Sequence, residues 1–294
     1  MSRSHSTSDH YLVTVTRLNE FSRTLTHALL VLVICTVVGF PLFWMVASSF
    51  KPVSEFYSTV PTYFTNVWSL ENYRLLFSQT SFASYFVNSL IVAVGATSLS
   101  LVIGGLGAYA LSRFHFRVVR IFSQLTLLGY MLPEVLIVIP LYMYVLKLGL
   151  ADTLLSLIIS NMAFTLPLTL WYMRAYFNAI PITLEESAMV EGCTRLQAFW
   201  RVVVPLALPG LVSTGVFAFN HAWNEFLFAL VFTSSEKNKV LTMGLATWIG
   251  QDAIFSWGML LSAAVLVTIP VMLFYLLVQK QLVVGLTSGG TKGE

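Results

Sequence analysis

The sequence predicts an all-α integral membrane protein: six transmembrane helices, with a helix–turn–helix lying on one membrane surface between spans four and five. Three observations carry that prediction. The composition is too poor in charge for a water-facing surface, six long stretches are almost free of charged residues, and the fourth connection reads as two short capped helices. Of the 294 residues, 57% are hydrophobic and 10% charged, where a soluble domain carries roughly a quarter charged. Lipid as the solvent accounts for the imbalance, since a soluble fold of this size needs far more polar surface.

The spans follow from the spacing of charge. No Asp, Glu, Lys or Arg occurs from Thr24 to Phe50, Leu75 to Ser112, Thr153 to Met173, Val202 to Asn224 or Ala253 to Val278, and Ile121 to Leu146 holds Glu134 alone. A run of about 18 apolar residues crosses the hydrocarbon core as a helix. Six spans are therefore read at 25–48, 85–111, 121–145, 153–174, 206–232 and 257–279. The chain divides into an N-terminal tail (1–24), a membrane domain (25–279) and a C-terminal tail (280–294).

An even number of spans puts both termini on one side. That side holds eleven basic residues, Arg3, Arg17, Arg23, Arg113, Arg117, Arg120, Arg174, Arg195, Arg201, Lys280 and Lys292; the other holds five, Lys51, Arg74, Lys147, Lys237 and Lys239. Basic residues concentrate in cytoplasmic connections, so both termini are expected in the cytoplasm. The same bias accounts for the net charge of +3 without a nucleic-acid partner. The stretch before Thr24 is not a secretory signal, because the span behind it is too long and no small-residue cleavage site follows. Cys35 and Cys193 are too far apart in this topology to pair, and both lie in or beside a reducing compartment.

Two outer connections exceed a simple turn. The first, about 49–84, contains Pro52, Pro61 and the aromatics Phe56, Tyr57, Tyr63, Phe64 and Trp68; Ser69 there can cap a short helix with Glu71 in its first turn. The second, about 234–256, holds Glu236, Lys237, Lys239 and Asp252 around an apolar middle. The aromatics either anchor the membrane interface or meet an external partner.

The fourth connection is the most informative. Pro181 precedes Thr183-Leu184-Glu185-Glu186, which fits a capping box: Thr183 accepts from the Glu186 amide, and Glu186 reaches back to that of Thr183. The helix runs to Val190 and stops near Gly192, which tolerates left-handed geometry. Thr194-Arg195-Leu196-Gln197 repeats the box and starts a second helix that runs into Pro205. On physics alone this element, at 181–204, is equally an amphipathic pair resting on the membrane with no partner.

Its residues are specific in another way. Glu186-Ser187-Ala188, Gly192, then Val202, Val204 and Pro205 resemble the Glu-Ala-Ala…Gly…Ile-x-Leu-Pro signature of ABC importer permeases, with Ser187 in place of alanine. Pro181-x-x-Leu184-Glu185 and Pro209 resemble the carbohydrate-uptake family, and within it the smaller six-span permease of the maltose and sugar transporters. Asn88-Ser89, Pro133 with Ile139-Pro140-Leu141, Trp223-Asn224-Glu225-Phe226 and Gly285-Leu286-Thr287…Lys292-Gly293 extend the likeness over nearly the whole chain. Ser288-Gly289-Gly290-Thr291 departs from the usual tail.

The resemblance implies the pore-forming permease of an ATP-driven sugar importer in a prokaryotic inner membrane. It implies a second homologous permease, two ATP-binding subunits that carry ATP and Mg, and an extracellular solute-binding protein that delivers a di- or oligosaccharide, glycoside or polyol. This chain has no Gly-x-x-x-x-Gly-Lys-[Ser/Thr] loop and so cannot supply the ATPase; no cofactor of its own is expected. The helix–turn–helix would then be a coupling element, a rigid lever that turns closure of the ATPase pair into helix rotation. Its residues are Glu185, Glu186, Ser187, Ala188, Gly192, Leu196, Phe199 and Pro205. Glu186 supplies charge at the seam or only caps its helix; Gly192 gives the bend, and Leu196 and Phe199 the apolar plug.

Within the spans a charge near the bilayer centre costs roughly 2.5–3.5 kcal/mol or more, so it should face a wet cavity or a partner. Asn220, His221, Trp223, Asn224 and Glu225 form a polar patch in the fifth span. Asn220 and Asn224 share one helix face and His221 and Glu225 the next; Glu134 and Asn161 can converge on it. Amides and carboxylates bind sugar hydroxyls, and Trp223 can stack on the ring. The plainer reading is that these groups hydrogen-bond helices to one another. Gly104, Gly105, Gly107 and Ala108 read as close helix packing, and Pro133, Pro140, Pro167 and Pro270 as kinks.

A secondary active transporter of a small polar solute is the alternative reading. It typically shows an internal repeat and a midplane ion site; no repeat is visible, and the helix–turn–helix would have no role. An intramembrane protease needs a nucleophile held by a base, and His221 has no serine motif to serve.

Overall fold

The computed structural model describes residues 5–56, 62, 65, 67–114, 121, 125, 126, 128–249 and 257–290, and nearly all of them are helical. Arg3, the outer aromatics Tyr57, Tyr63 and Phe64, Arg117 and Arg120, Asp252 and the tail from Thr291 lie outside the described residues. Helix α1 (His5–Ser49) unites most of the polar N-terminal stretch with the first span. Short α2 (Val53–Phe56) and α3 (Glu71–Gln79) occupy the connection read at about 49–84, and Ser69 Oγ accepts from the Glu71 amide at 3.1 Å, the expected cap. Helix α4 (Phe82–Arg113) covers the stretch read as the second span.

The third span, read at 121–145, is not one unbroken helix over the described residues. Helix α5 (Glu134–Lys147) begins only after a turn at Met131 and Leu132. Its 14 residues reach about 21 Å at the usual rise, short of the roughly 30 Å of hydrocarbon. Pro133, at φ −59° and ψ 133°, sets the break: it lacks an amide proton and crowds the residue before it, so it opens a helix more readily than it continues one.

Helix α6 (Leu154–Ala179) covers the stretch read as the fourth span and is capped by Thr153, whose side chain accepts from the Ser156 amide at 3.2 Å. Helix α7 (Ile182–Val190) and α8 (Arg195–Leu206) make the helix–turn–helix. The fifth span, read at 206–232, is broken twice. Helix α8 meets α9 (Leu208–Asn224) at 76°, and beyond Asn224 the backbone opens at Glu225 (ψ 132°) before α10 (Leu227–Phe232). The apolar middle of the connection read at about 234–256 folds as α11 (Leu241–Ile249), a helix that charge spacing does not reveal. Helix α12 (Trp257–Gly290) covers the stretch read as the sixth span and continues through most of the expected tail, with Pro270 inside it. Among the described residues four helices, Arg23–Ser49, Phe82–Arg113, Leu154–Ala179 and Trp257–Lys280, are long and apolar enough to cross a membrane, and the bent α8–α9 pair makes a fifth if taken as one span.

The chain forms two compact units. In the first, which runs to Arg74 and includes Trp257–Val265, Asn72 Nδ2 donates to the carbonyls of Ser49 and Lys51 at 3.0 and 2.7 Å. Lys51 lies 4.3 Å from the centroid of the Trp44 ring.

The second unit, Leu75–Ser256 with the chain from Leu266 onward, is built on α4 and α6, which pack along one another. Small residues allow the approach: a Cβ on Gly104 would stand 2.6 Å from Thr169 Cγ2, and one on Gly107 2.7 Å from Leu170 Cδ2. Nearer the N-terminal ends of both helices, the Ser100 and Thr165 hydroxyls meet at 2.6 Å. This is the glycine packing that the sequence predicts, except that a Cβ on Gly105 would meet nothing. At the end of α6 away from the helix–turn–helix, Asp152 (φ 56°) ties two connections together. Its Oδ1 accepts from the Ser234 and Ser235 amides at 3.0 Å each, while Asn238 Nδ2 donates to its carbonyl. Those amide donors hold the Asp152 carboxyl below the usual carboxylate range.

Candidate functional site

The helix–turn–helix is shaped by three local devices, of which the sequence identifies two. Helix α7 starts at Ile182 behind Pro181 (φ −58°, ψ 131°) with no side-chain cap, so the expected Thr183–Glu186 capping box does not form. A proline in this place has its φ already set and loses nothing by having no amide proton. Thr183 is thus one residue inside the helix, and its carbonyl accepts from the Ser187 hydroxyl at 2.8 Å. Glu186 is exposed and free of capping duty.

The turn is as predicted. Gly192 sits at φ +97°, and the amides of Gly192 and Cys193 donate back to Met189 and Ala188 at 3.1 and 3.0 Å, the paired bonds of a Schellman ending. The second capping box is also present: the Thr194 amide donates to Gln197 Oε1 at 2.8 Å and the Gln197 amide to Thr194 Oγ1 at 3.3 Å. Beyond it the helix widens at Phe199–Val203, where the Val204 amide donates five residues back to Phe199. Pro205 follows at once and can donate to nothing.

Exposure divides the predicted coupling residues. Leu196 is 63% exposed, Ser187 is exposed and Ala188 half-buried; Val190, at 89%, and Leu184 and Trp200, outside the predicted set, are open as well. Phe199 is the correction. At 3% exposure it cannot be an outward plug, because it packs 4.6 Å from Tyr109 and 6.1 Å from Phe177 between ring centroids. It seats the second helix on the ends of α4 and α6.

Glu185 also faces inward, at 3% exposure. Arg113, the last residue of α4, donates to Glu185 Oε1 from Nε at 2.6 Å and approaches it with Nη2 at 2.5 Å. The same guanidinium donates to the carbonyls of Phe177 and Ile180 at the end of α6, at 3.1 and 3.2 Å. Tyr109 gives its hydroxyl proton to Glu185 Oε2 at 2.7 Å. The sequence reading counts Arg113 only as a cytoplasmic charge and passes over Tyr109. Neither has a local signal, since their partner lies more than seventy positions along the chain.

The polar patch is also divided. On α9, Asn224 Nδ2 donates to the carbonyl and side-chain oxygen of Asn220 at 2.8 and 3.1 Å, both residues exposed. Glu134, at the start of α5, comes to this side with its Oε1 3.7 Å from His221 Nε2, the two side chains 37% and 28% exposed. Trp223, in contrast, is 3% exposed, stacked on Phe219 and edge-on to Phe86 at 5.7 Å each, so no sugar ring reaches its face in this conformation. Glu225 caps α10 from within, accepting from the amides of Phe228 and Ala229 at 2.6 and 3.2 Å. Asn161 is buried and donates to the Leu157 carbonyl, with no partner for its Oδ1 among the described residues. A cavity of about 600 Å³ lies between α4, α9 and residues 270–278, lined by side chains such as Leu101, Leu211, Phe219 and Phe274. It is apolar, and none of the patch residues lines it.

Residues 100–286 match the family described as the binding-protein-dependent transport system inner membrane component. That match takes in α6 to α9 and both faces of the helix–turn–helix. The chain belongs to this family. It is 38% identical over 256 residues to the diacetylchitobiose uptake system permease protein DasC of Streptomyces coelicolor, covering 86% of this chain and 92% of that one. It is 36% identical over 278 residues to the trehalose/maltose transport system permease protein MalG of Thermococcus litoralis, covering 91% and 95%. A crystal structure of a bacterial ABC transporter involved in the import of alginate contains a chain of the same fold, with a TM-score of 0.75 at 23% identity over 89% of this chain and 97% of that one. The chain is a multi-pass ABC transporter permease subunit of the inner membrane.

Proposed function

We propose that this permease subunit forms half of the pore of an ATP-driven importer that takes a di- or oligosaccharide, glycoside or polyol across a prokaryotic inner membrane. The observation that carries the sugar class is similarity over most of the chain to permeases named for trehalose, maltose and diacetylchitobiose uptake. In this reading the chain has six spans, with the residues up to 147 supplying three of them, and both termini lie in the cytoplasm, in keeping with eleven basic residues on that side against five. The helix–turn–helix docks on a separate pair of ATP-binding subunits, which hold ATP and Mg, through Glu186, Ser187, Leu196 and the turn at Gly192. Glu134, Asn220, His221 and Asn224 form one wall of the substrate path. Because that wall is open on a single chain, a second homologous permease closes it, and an extracellular binding protein delivers the sugar.

The test is purification of the tagged chain from its own host in mild detergent, followed by reconstitution. A second permease and an ATPase should co-purify, and ATP hydrolysis should rise on adding the sugar-loaded binding protein. A chain that purifies without an ATPase and takes up solute on an ion gradient overturns the proposal.

A further inference from the structure

Resting on that reading, we infer that Arg113 and Glu185, with Tyr109, form the internal strut that fixes the coupling helix α7 to spans α4 and α6, so that the three move as one body when the ATPases close. A lever transmits motion only if its root does not swivel. The covalent link from α6 to α7 is a short one through Ile180 and Pro181, which cannot by itself fix the angle between the helices. Arg113 removes that freedom. One planar guanidinium bonds the last carbonyls of α6 and the Glu185 carboxylate of α7, while its own backbone ends α4.

The fork geometry matters, because arginine can hold a carboxylate and two carbonyls in a fixed plane where an ammonium cannot. Burial matters too. The two side chains are 6% and 4% exposed, so water does not substitute for either partner, and Tyr109 donates to the second carboxylate oxygen. Phe199 closes the underside against Tyr109 and Phe177. Glu185 is thus a positioning residue, in contrast to its exposed neighbour Glu186.

The experiment uses the assembled transporter in liposomes, with Cys35 and Cys193 replaced by serine and spin labels at Ala175 on α6 and Glu191 at the far end of α7, both exposed. The labelled transporter must import at the wild-type rate. With Arg113 and Glu185 intact, the distance between labels should stay the same with and without ATP. In Arg113→Gln it should change on ATP binding, and substrate moved per ATP should fall roughly fivefold or more. Because a lone buried carboxylate can prevent assembly, Arg113→Gln with Glu185→Gln removes both charges at once; that variant should assemble, hydrolyse ATP and remain uncoupled. Arg113→Lys should be intermediate. An intact strut whose label distance changes with ATP, or a double variant that couples normally, overturns the inference. A labelled transporter with no ATP-driven import at all instead counts against the permease reading beneath it.

Discussion

Glu134 and His221 meet at 3.7 Å, Oε1 to Nε2, joining the first turn of α5 to the last turn of α9 beside the exposed Asn220–Asn224 pair. Glu134 remains 37% exposed and can turn to a hydroxyl-rich substrate, while His221 Nε2 is buried with no hydrogen-bond partner among the described residues. Losing a charged hydrogen-bond partner costs about 1.5–3 kcal/mol. Glu134→Gln should therefore raise KM for uptake roughly tenfold or more, and Asn224→Ala should raise it less, with assembly unchanged in both. Trp223→Ala should behave differently. Emptying that buried site costs about 3–5 kcal/mol of stability, so membrane abundance should drop while KM per folded transporter holds. Uptake kinetics with quantitative blotting separate the two outcomes.

The capping pattern makes a second contrast. Thr183 caps nothing, so Thr183→Ala should shift thermal stability by less than about 0.5 kcal/mol. Thr194→Ala removes a real cap and should cost about 1 kcal/mol. Glu186→Gln deletes charge without touching any cap and should lower substrate-stimulated ATP hydrolysis more than Thr183→Ala does. Equal ATPase activities for those two variants would remove Glu186 from the docking surface.

At Gly192 the positive φ decides the outcome. An L residue held in a left-handed conformation costs roughly 1–2 kcal/mol, and a β-branched one fits worse. Gly192→Ala should weaken coupling, and Gly192→Val should misplace α8 and uncouple most severely. The readout is substrate imported per ATP hydrolysed in liposomes containing the complete transporter.

Asp152 carries a pH prediction. Its folded carboxyl titrates below the ordinary value because the Ser235 and Ser234 amides stabilise the charged form. That stabilisation is therefore fully present above the unfolded value of about 3.9, and is lost as pH falls through the lower folded value. Asp152→Asn should lower Tm at pH 7, and the difference from wild type should shrink below about pH 4. A difference that is flat from pH 7 to pH 3 would mean the residue acts through shape alone.

Lipid dictates most of what was legible in the sequence. Charge-free runs mark where α1, α4, α6 and α12 lie, because nothing else tolerates so little polarity. The same signal overstates continuity: at Pro133 a proline ends the helical run, and at Glu225 charge spacing cannot see a backbone that opens and is re-satisfied by the Glu225 carboxylate. Local chemistry was legible where it depends on adjacent residues, as at Gly192 and the Thr194–Gln197 box. It misled at Thr183, where Pro181 caps the helix and starts it two residues sooner. Direction was the least legible property. Trp223 and Phe199 have the composition of contact residues, yet both turn inward, and the partners that make Glu185 internal come from another span.

The glycine contacts between α4 and α6 have a thermal consequence. Lipid tails are as apolar as leucine, so association inside a bilayer draws on close packing and hydrogen bonds and not on the release of water. The cohesion of a soluble core weakens on cooling because its hydrophobic part is entropic near room temperature. The seam at Gly104, Gly107 and the Ser100–Thr165 hydroxyls lacks that dependence, and chilling should leave it closed.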